Sequence, residues 1–556
     1  MKLKLLLISC IFASLCSNAN ATVHTAKILT SGMVLQRNEP VKLWGTADRN
    51  DVVTVSFVGK KLPARTDGKR LPKQFSATIN DDGSWLVELP ALKAGGPYTI
   101  RIADAELTDV LIGDVYLCSG QSNMELPVRR VAEYFADEVA SDVNNNIRIA
   151  TVPKVFSFDA PQADVPAIEW KTLAPQNVSE ISALSYFMSK KLQRETGVPV
   201  GIVCSCWGGT TIESWISREG LQDFPRAIAE ADYYALDDFR NNIKRLEGQQ
   251  FYRWNAVLYS HDEGRTAATP WFAADFDDSS WEIVYPVATA DHAEATRWGF
   301  DGTNAVNGSH WLRHYFEVSN TYAGQSATLR LGCIVDADSV YVNGTFVGTT
   351  GYQYPPRIYN VPKNILREGK NVVTVRVISQ GGEPHFVQEK PYKIVFADGG
   401  EIDLRGAWRY HVGAQMIPGP PMEFFCYKAT SLYNAMIAPL LNLHFSGVVW
   451  YQGESNVGRH NEYARLLAAL MADWRKAFAT ADLKFFIVEL ADFLHSSDPG
   501  RAAWAELRKA QASACDADAN AYLVKNSDLG EWNDIHPIDK KTIAERVAEE
   551  IVKSRK

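Results

Sequence analysis

Past its opening segment the chain has no apolar run long enough to cross a membrane, since a spanning helix needs about 20 consecutive apolar residues. It lacks a basic excess too. Its 57 Lys and Arg stand against 65 Asp and Glu, a net charge of −8. An acidic surface is a poor match for phosphate, which argues against nucleic acid as a partner. Cysteine is sparse. Of eight, Cys10 and Cys16 fall in the opening segment, and Cys118, Cys204, Cys206, Cys333, Cys426 and Cys515 remain. Their spacing, with few His nearby, fits no zinc template. Internal repeats and low-complexity tracts are absent.

What is present begins with a leader. Lys2 and Lys4 precede an apolar run that ends at Ala19-Asn20-Ala21, a small-x-small cleavage site. Residues 1–21 therefore predict a secretory signal peptide cut before Thr22, which places the chain outside the cell or in the periplasm. Cys16 follows Leu15, where a lipid-anchor site wants a small residue, so anchoring is disfavoured. Loss of Lys2 and Lys4 leaves the exported chain more acidic still. The 15 Trp, 22 Tyr and 24 Phe are read first as core and only second as the lining of a sugar site.

The 556 residues exceed what one core holds and predict roughly three or four domains. Short extended runs split by turns fill 22–108, among them Val41-Lys42-Leu43-Trp44 and Val52-Val53-Thr54-Val55, and predict a β-sandwich. From Val110 to Cys118 the run is almost wholly apolar, as for a strand buried on both faces. Helical stretches then alternate with buried strands, which predicts an α/β domain over 109–263 that resumes over 398–556. Between them 264–397 reads as strands again, with Asn343-Gly344 as a hairpin turn, and predicts an inserted jelly roll whose two ends lie together.

Four short segments carry chemistry, each at or just after the end of a predicted strand, where open α/β sheets bind ligands. Gly120-Gln121-Ser122-Asn123 presents a Ser flanked by Gly; the competing reading is a helix cap. Trp207-Gly208-Gly209-Thr210 offers backbone N–H donors, or simply a tight turn. Gln452-Gly453-Glu454-Ser455-Asn456 offers a neutral amide, with Glu454 and Asn456 to orient neighbours. Asp534-Ile535-His536-Pro537 offers a base with a carboxylate two residues before it.

The order Ser, Gly, Gln, His resembles the four site blocks of the SGNH (GDSL-like) hydrolases. More closely, Asp114-Val115-Tyr116-Leu117-Cys118-Ser119-Gly120-Gln121-Ser122-Asn123-Met124-Glu125, Cys206-Trp207-Gly208-Gly209-Thr210, Tyr433-Asn434-Ala435-Met436, Trp450-Tyr451-Gln452-Gly453-Glu454-Ser455-Asn456 and Asp534-Ile535-His536-Pro537 resemble the sialate O-acetylesterase family. That resemblance implies an SGNH-like three-layer α/β catalytic domain. The segment around Asp275-Phe276-Asp277-Asp278-Ser279-Ser280-Trp281 resembles the sugar-binding-like jelly roll of β-galactosidases.

The resemblance implies Ser122 as nucleophile, His536 as base and Asp534 as its orienting acid. It also implies an oxyanion hole of the Ser122 N–H, Gly208, Gly209 and the Gln452 amide, supported by Asn123, Glu454 and Asn456. The expected reaction is acetyl-ester hydrolysis on a sugar, sialate first and plant glycans such as xylan second, with no metal or organic cofactor. One departure is plain: the broader superfamily places its acid three residues before the His, and Asn533 stands there. Asp534 is therefore the weaker assignment, with an oxygen expected within about 3.2 Å of a His536 ring nitrogen; the alternatives are a dyad in which a backbone carbonyl orients the imidazole, or another acid such as Asp528. Arg129, Arg130 and Arg459 read as solvated charges. A glycosidase using two of Glu125, Glu213 and Glu454 leaves Ser122 and His536 without a role, as does a non-catalytic sugar-binding protein.

Overall fold

The computed structural model describes residues 22–48, 52–141 and 143–555. The leader, residues 1–21, lies outside them.

The central element is the strand Ala105–Gly120, almost wholly buried from Val110 onward. On one side it pairs in parallel with Val200–Cys206, which pairs with Asn144–Thr151, and Trp170–Leu173 closes that edge antiparallel. On the other side follow Gly447–Tyr451, Phe485–Val488 and Ala521–Val524, all parallel. The chain builds one side first and then crosses Ala105–Gly120 to build the other. The site expected from strand order thus lies beside this central strand. Gly120 stands opposite both Cys206 and Tyr451, so three loops leave the sheet at one level.

The sequence explains the flanking helices. Ser182 caps Ala183–Thr196 by accepting from Ser185 N at 3.2 Å, and Gly197 ends it at φ +69°. This helix packs on Lys540–Lys553, and His460–Ala477 packs on Arg501–Asp516. In His460–Ala477 the buried Leu466, Leu467, Leu470, Met471 and Trp474 recur at helical spacing and form its inner face.

Two expected domain boundaries move. No linker falls at 108: the first half of Ala105–Gly120 pairs antiparallel with Gly95–Ile102, and Leu111–Gly113 pairs with Val34–Gln36. A single strand thus belongs to both the N-terminal sheets and the α/β sheet, and one apolar core runs from Trp44 and Trp85 through Leu117 to Val547. The β segment after the first α/β portion also continues past 397. The strand Trp408–Met416 pairs along Asn307–Val318, in the interior of a six-stranded antiparallel sheet. Its alternation holds from Trp408 to Val412 and breaks at Gly413, where the register shifts by one residue.

That sheet faces a four-stranded one across a core including Leu312, Val340 and Val375 on one side and Leu329, Val361 and Ile394 on the other. Its two ends meet: Trp254 Nε1 donates to Ile417 O at 2.9 Å, and Asp262 accepts from Trp311 Nε1 at 2.8 Å and pairs with Arg376 at 2.6 Å. All six described cysteines are free of disulfides and buried. No described helix is long and apolar enough to cross a membrane.

Candidate active site

Ser122 opens a one-turn helix, Ser122–Glu125, directly after the central strand. Gly120 makes the turn possible. It sits at φ +133°, and a Cβ there would lie 2.1 Å from the carbonyl oxygen of Tyr451, so any side chain would push the neighbouring strand away. The helix cap is Gln121, not Ser122. Among the described residues the Ser122 hydroxyl has no hydrogen-bond partner.

The next residue ties the Ser122 turn to the His536 loop. Asn123, 3% exposed, donates through Nδ2 to Glu454 Oε1 at 2.5 Å and to Ile535 O at 3.0 Å, and accepts from Lys540 Nζ at 2.5 Å. Lys540 has no exposed surface and rests over the Tyr451 ring. Burial brings its ammonium down to about 8 despite the nearby Glu454 and Asp534 carboxylates. Glu454 Oε2 is enclosed without a partner, and burial raises that carboxyl. Lys540 was missed in the sequence; its only signal is its place four residues after His536, at the start of a helix.

His536 is buried, and its Nδ1 has no hydrogen-bond partner among the described residues. Burial first, then the charges of Lys540 and Arg130, bring the imidazole down to about 3. The Asp534 expectation is corrected. Asp534 Oδ1 lies 3.9 Å from Nδ1, beyond hydrogen-bond reach. With only one residue between them, Oδ1 instead accepts the backbone N–H of His536 at 2.9 Å, while Oδ2 accepts from Lys390 at 3.2 Å. Asp528 is no substitute, being exposed and paired with Arg546.

The oxyanion donors divide. Gly208 N–H is spent on Glu125 Oε2 at 2.7 Å. Gln452, wholly buried, donates to Thr210 O at 3.1 Å and Asn456 Oδ1 at 2.8 Å, and accepts from Tyr463 OH. Asn456 in turn holds Ile212 N and Glu213. Gln452 and Asn456 are thus braces beneath the Gly turn rather than donors to a ligand. The backbone N–H groups of Ser122 and Gly209 remain without acceptors among the described residues. For Gln452→Leu we expect a stability loss of about 2–3 kcal/mol, since three buried polar groups lose a partner, read as a lower urea midpoint. An intact fold with turnover down about 100- to 1000-fold would instead make Gln452 an oxyanion donor.

The inserted sandwich reaches this site. The Tyr354 ring stands edge-on to His536, centroids 5.5 Å apart. Lys390 pairs with Glu531 at 3.0 Å and with Asp534, and Asn533 donates to Gln388 O at 2.8 Å. The three arginines part company. Arg129 pairs with Glu180 at the surface and Arg459 with Glu213. Arg130, read as solvated, instead lines a cavity beside His536 and Asp534, and its Nε is enclosed without a partner. Of the glycosidase candidates, Glu125 pairs with Lys154, and Glu213 and Glu454 are held as described.

A family model described as carbohydrate esterase, sialic acid-specific acetylesterase, matches residues 112–266 and 415–553, more than half of the chain. The chain belongs to this family. The unmatched gap coincides with the inserted sandwich. Among curated members, the sialate O-acetylesterase of Mus musculus is 24% identical over 334 residues, 52% of this chain and 60% of the relative. That of Homo sapiens is 27% identical over 298 residues, 50% of this chain and 54% of the relative. The matches span 42% to 60% of the curated relatives' lengths. A carbohydrate acetylesterase of Xanthomonas citri, known from its crystal structure, shares the fold: it is 23% identical with a TM-score of 0.53, over 95% of this chain and 74% of that one.

Proposed function

We propose that the chain is an exported carbohydrate O-acetylesterase, acting on acetylated sialate, with Ser122 as nucleophile and His536 as general base. The observation that carries this reading is Ser122 itself. It is a hydroxyl without a hydrogen-bond partner among the described residues, on a tight glycine turn at the sheet's carboxyl edge, joined through Asn123 to the residue before His536. Family membership supports the ester chemistry. We read the catalytic part as an SGNH-like three-layer domain and the inserted sandwich as a jelly roll.

In this mechanism His536 takes the Ser122 proton as Oγ attacks the acetyl carbonyl. The Ser122 and Gly209 N–H groups receive the oxyanion. His536 returns the proton to the departing sugar hydroxyl, and water, activated by the same imidazole, releases acetate and restores Ser122. A cavity of about 590 Å³ beside Thr211 and Tyr427 offers room for the glycan. The test is an acetate-release screen over acetylated sialic acids, acetylated xylan and a non-acetylated control. Release of sugar rather than acetate would point to a glycosidase, and no release to a binding protein.

Asp534 acts in this reading through the backbone of His536 and through Lys390. Asp534→Asn keeps an acceptor for the His536 N–H, so turnover is expected to fall about 10-fold, far short of the roughly 10⁴-fold cost of losing an essential triad acid. A measured loss near the larger figure would mean that Asp534 closes onto the imidazole when substrate is bound.

A further inference from the structure

A cavity of about 80 Å³ separates the catalytic portion from the inserted sandwich, with His536 and Asp534 in its wall. Four cations line it: Arg130, Arg330, Arg357 and Lys390. Three have anionic partners. Arg330 pairs with Glu133, Arg357 with Asp338 at 2.6 Å, and Lys390 with Glu531 and Asp534. Arg130 alone has no acceptor among the described residues. Its charge is faced by Asp534, Tyr352, Cys333 and Arg129, yet both Asp534 oxygens are engaged elsewhere. Its Nε is enclosed without a partner while the rest of the half-buried guanidinium borders the cavity, so this charge is left for something other than the described residues to satisfy.

We propose that Arg130 anchors a carboxylate carried by the sugar substrate, so that the enzyme selects acetylated acidic sugars, sialic or uronic. This rests on the acetylesterase reading above. The cavity holds a carboxylate with a water or two but not a sugar ring, which would stay outside it on the side of the reacting groups. The planar fork of Arg suits a carboxylate's two oxygens. Binding there would also help the chemistry. His536 is faced by Asp534, Lys540, Arg130 and Tyr354, and the Arg130 charge is among those disfavouring its protonation. A carboxylate seated on Arg130 cancels that charge and makes His536 the stronger base when substrate is present.

The test compares acetate release by the full chain and its Arg130→Gln and Arg130→Lys variants on paired substrates. One pair is O-acetylated N-acetylneuraminic acid and its C1 methyl ester; the other is an acetylated galacturonoside and its methyl ester. The wild type is expected to prefer an acid over its ester. The acid-to-ester ratio of kcat/KM should fall about 10- to 100-fold in Arg130→Gln, the worth of a charge-assisted hydrogen bond, and partly survive in Arg130→Lys. A preference confined to one pair names the sugar class. An unchanged ratio, or equal loss on acid and ester, overturns the proposal and makes Arg130 a support for Asp534. If no acetylated sugar is hydrolysed, the esterase reading fails. Calorimetric binding of free N-acetylneuraminate and galacturonate then still decides: binding weakened by Arg130→Gln supports the anchor, and binding equal in both proteins, or absent, sinks it.

Discussion

Ser122→Ala is expected to give a folded protein whose acetate release falls about 10⁴- to 10⁶-fold, the range seen when a hydrolase loses its serine. The structure separates this outcome from a folding defect. Ser122 caps no helix, since Gln121 holds that position. Its hydroxyl holds nothing among the described residues, and its carbonyl, which accepts from Leu126 N at 2.8 Å, is backbone and survives the change. The urea midpoint should therefore stay within experimental error. A serine-directed phosphonate should add its mass to the wild type and not to the variant. Near-native turnover in a folded Ser122→Ala protein would remove the central assignment.

The second large effect is expected at Lys540. Lys540→Met removes the donor to Asn123 Oδ1 and leaves the amide held only through its Nδ2, to Glu454 and Ile535 O, so the Ser122 turn is less firmly fixed against the His536 loop. Displacement of a reacting group by about 1 Å costs on the order of 100-fold, and that is the expected loss in kcat/KM. Loss of a charged hydrogen bond costs about 2 kcal/mol of stability as well. A merely structural role predicts the stability loss and no more.

The pH profile distinguishes the two. In the proposed mechanism His536 acts as the neutral imidazole, and the Lys540 charge opposes its protonation. In the wild type the imidazole, at about 3, stays neutral as pH falls through the ordinary His range near 6.5, so the acid limb of kcat/KM should lie well below that range. Removing the charge raises the imidazole pKa, and the acid limb moves to higher pH. An acid limb unmoved in Lys540→Met would confine Lys540 to packing.

Much of the architecture was legible because local pattern and burial agree. From Asp114 the apolar run that starts at Val110 sits in the middle of a parallel sheet, where both faces are covered and alternation has no purpose. The strand Trp408–Met416 was missed because its alternation, intact from Trp408 to Val412, is cut short by a bulge at Gly413, while its partner Asn307–Val318 supplied the pairing. The boundary near 108 failed because hydrogen bonding along a strand does not stop where composition changes.

By itself the sequence determined which residues are brought to the sheet's edge. Ser122, the Gly208-Gly209 turn and Gln452 each follow a buried strand, and strand ends in one register must present their loops together. Tertiary structure alone decided which polar groups remain free to act. Gln452 is spent on Thr210 and Asn456, Gly208 on Glu125, and Asp534 on a backbone N–H and a lysine from the inserted sandwich. Lys540 meets Asn123 across 417 residues of chain, and Arg130 is left without a partner among the described residues because its neighbours pair elsewhere. A residue's type and spacing set what it can donate or accept. Whether that capacity is already used depends on partners brought from distant parts of the chain, and buried polar groups take whatever partner the packing supplies.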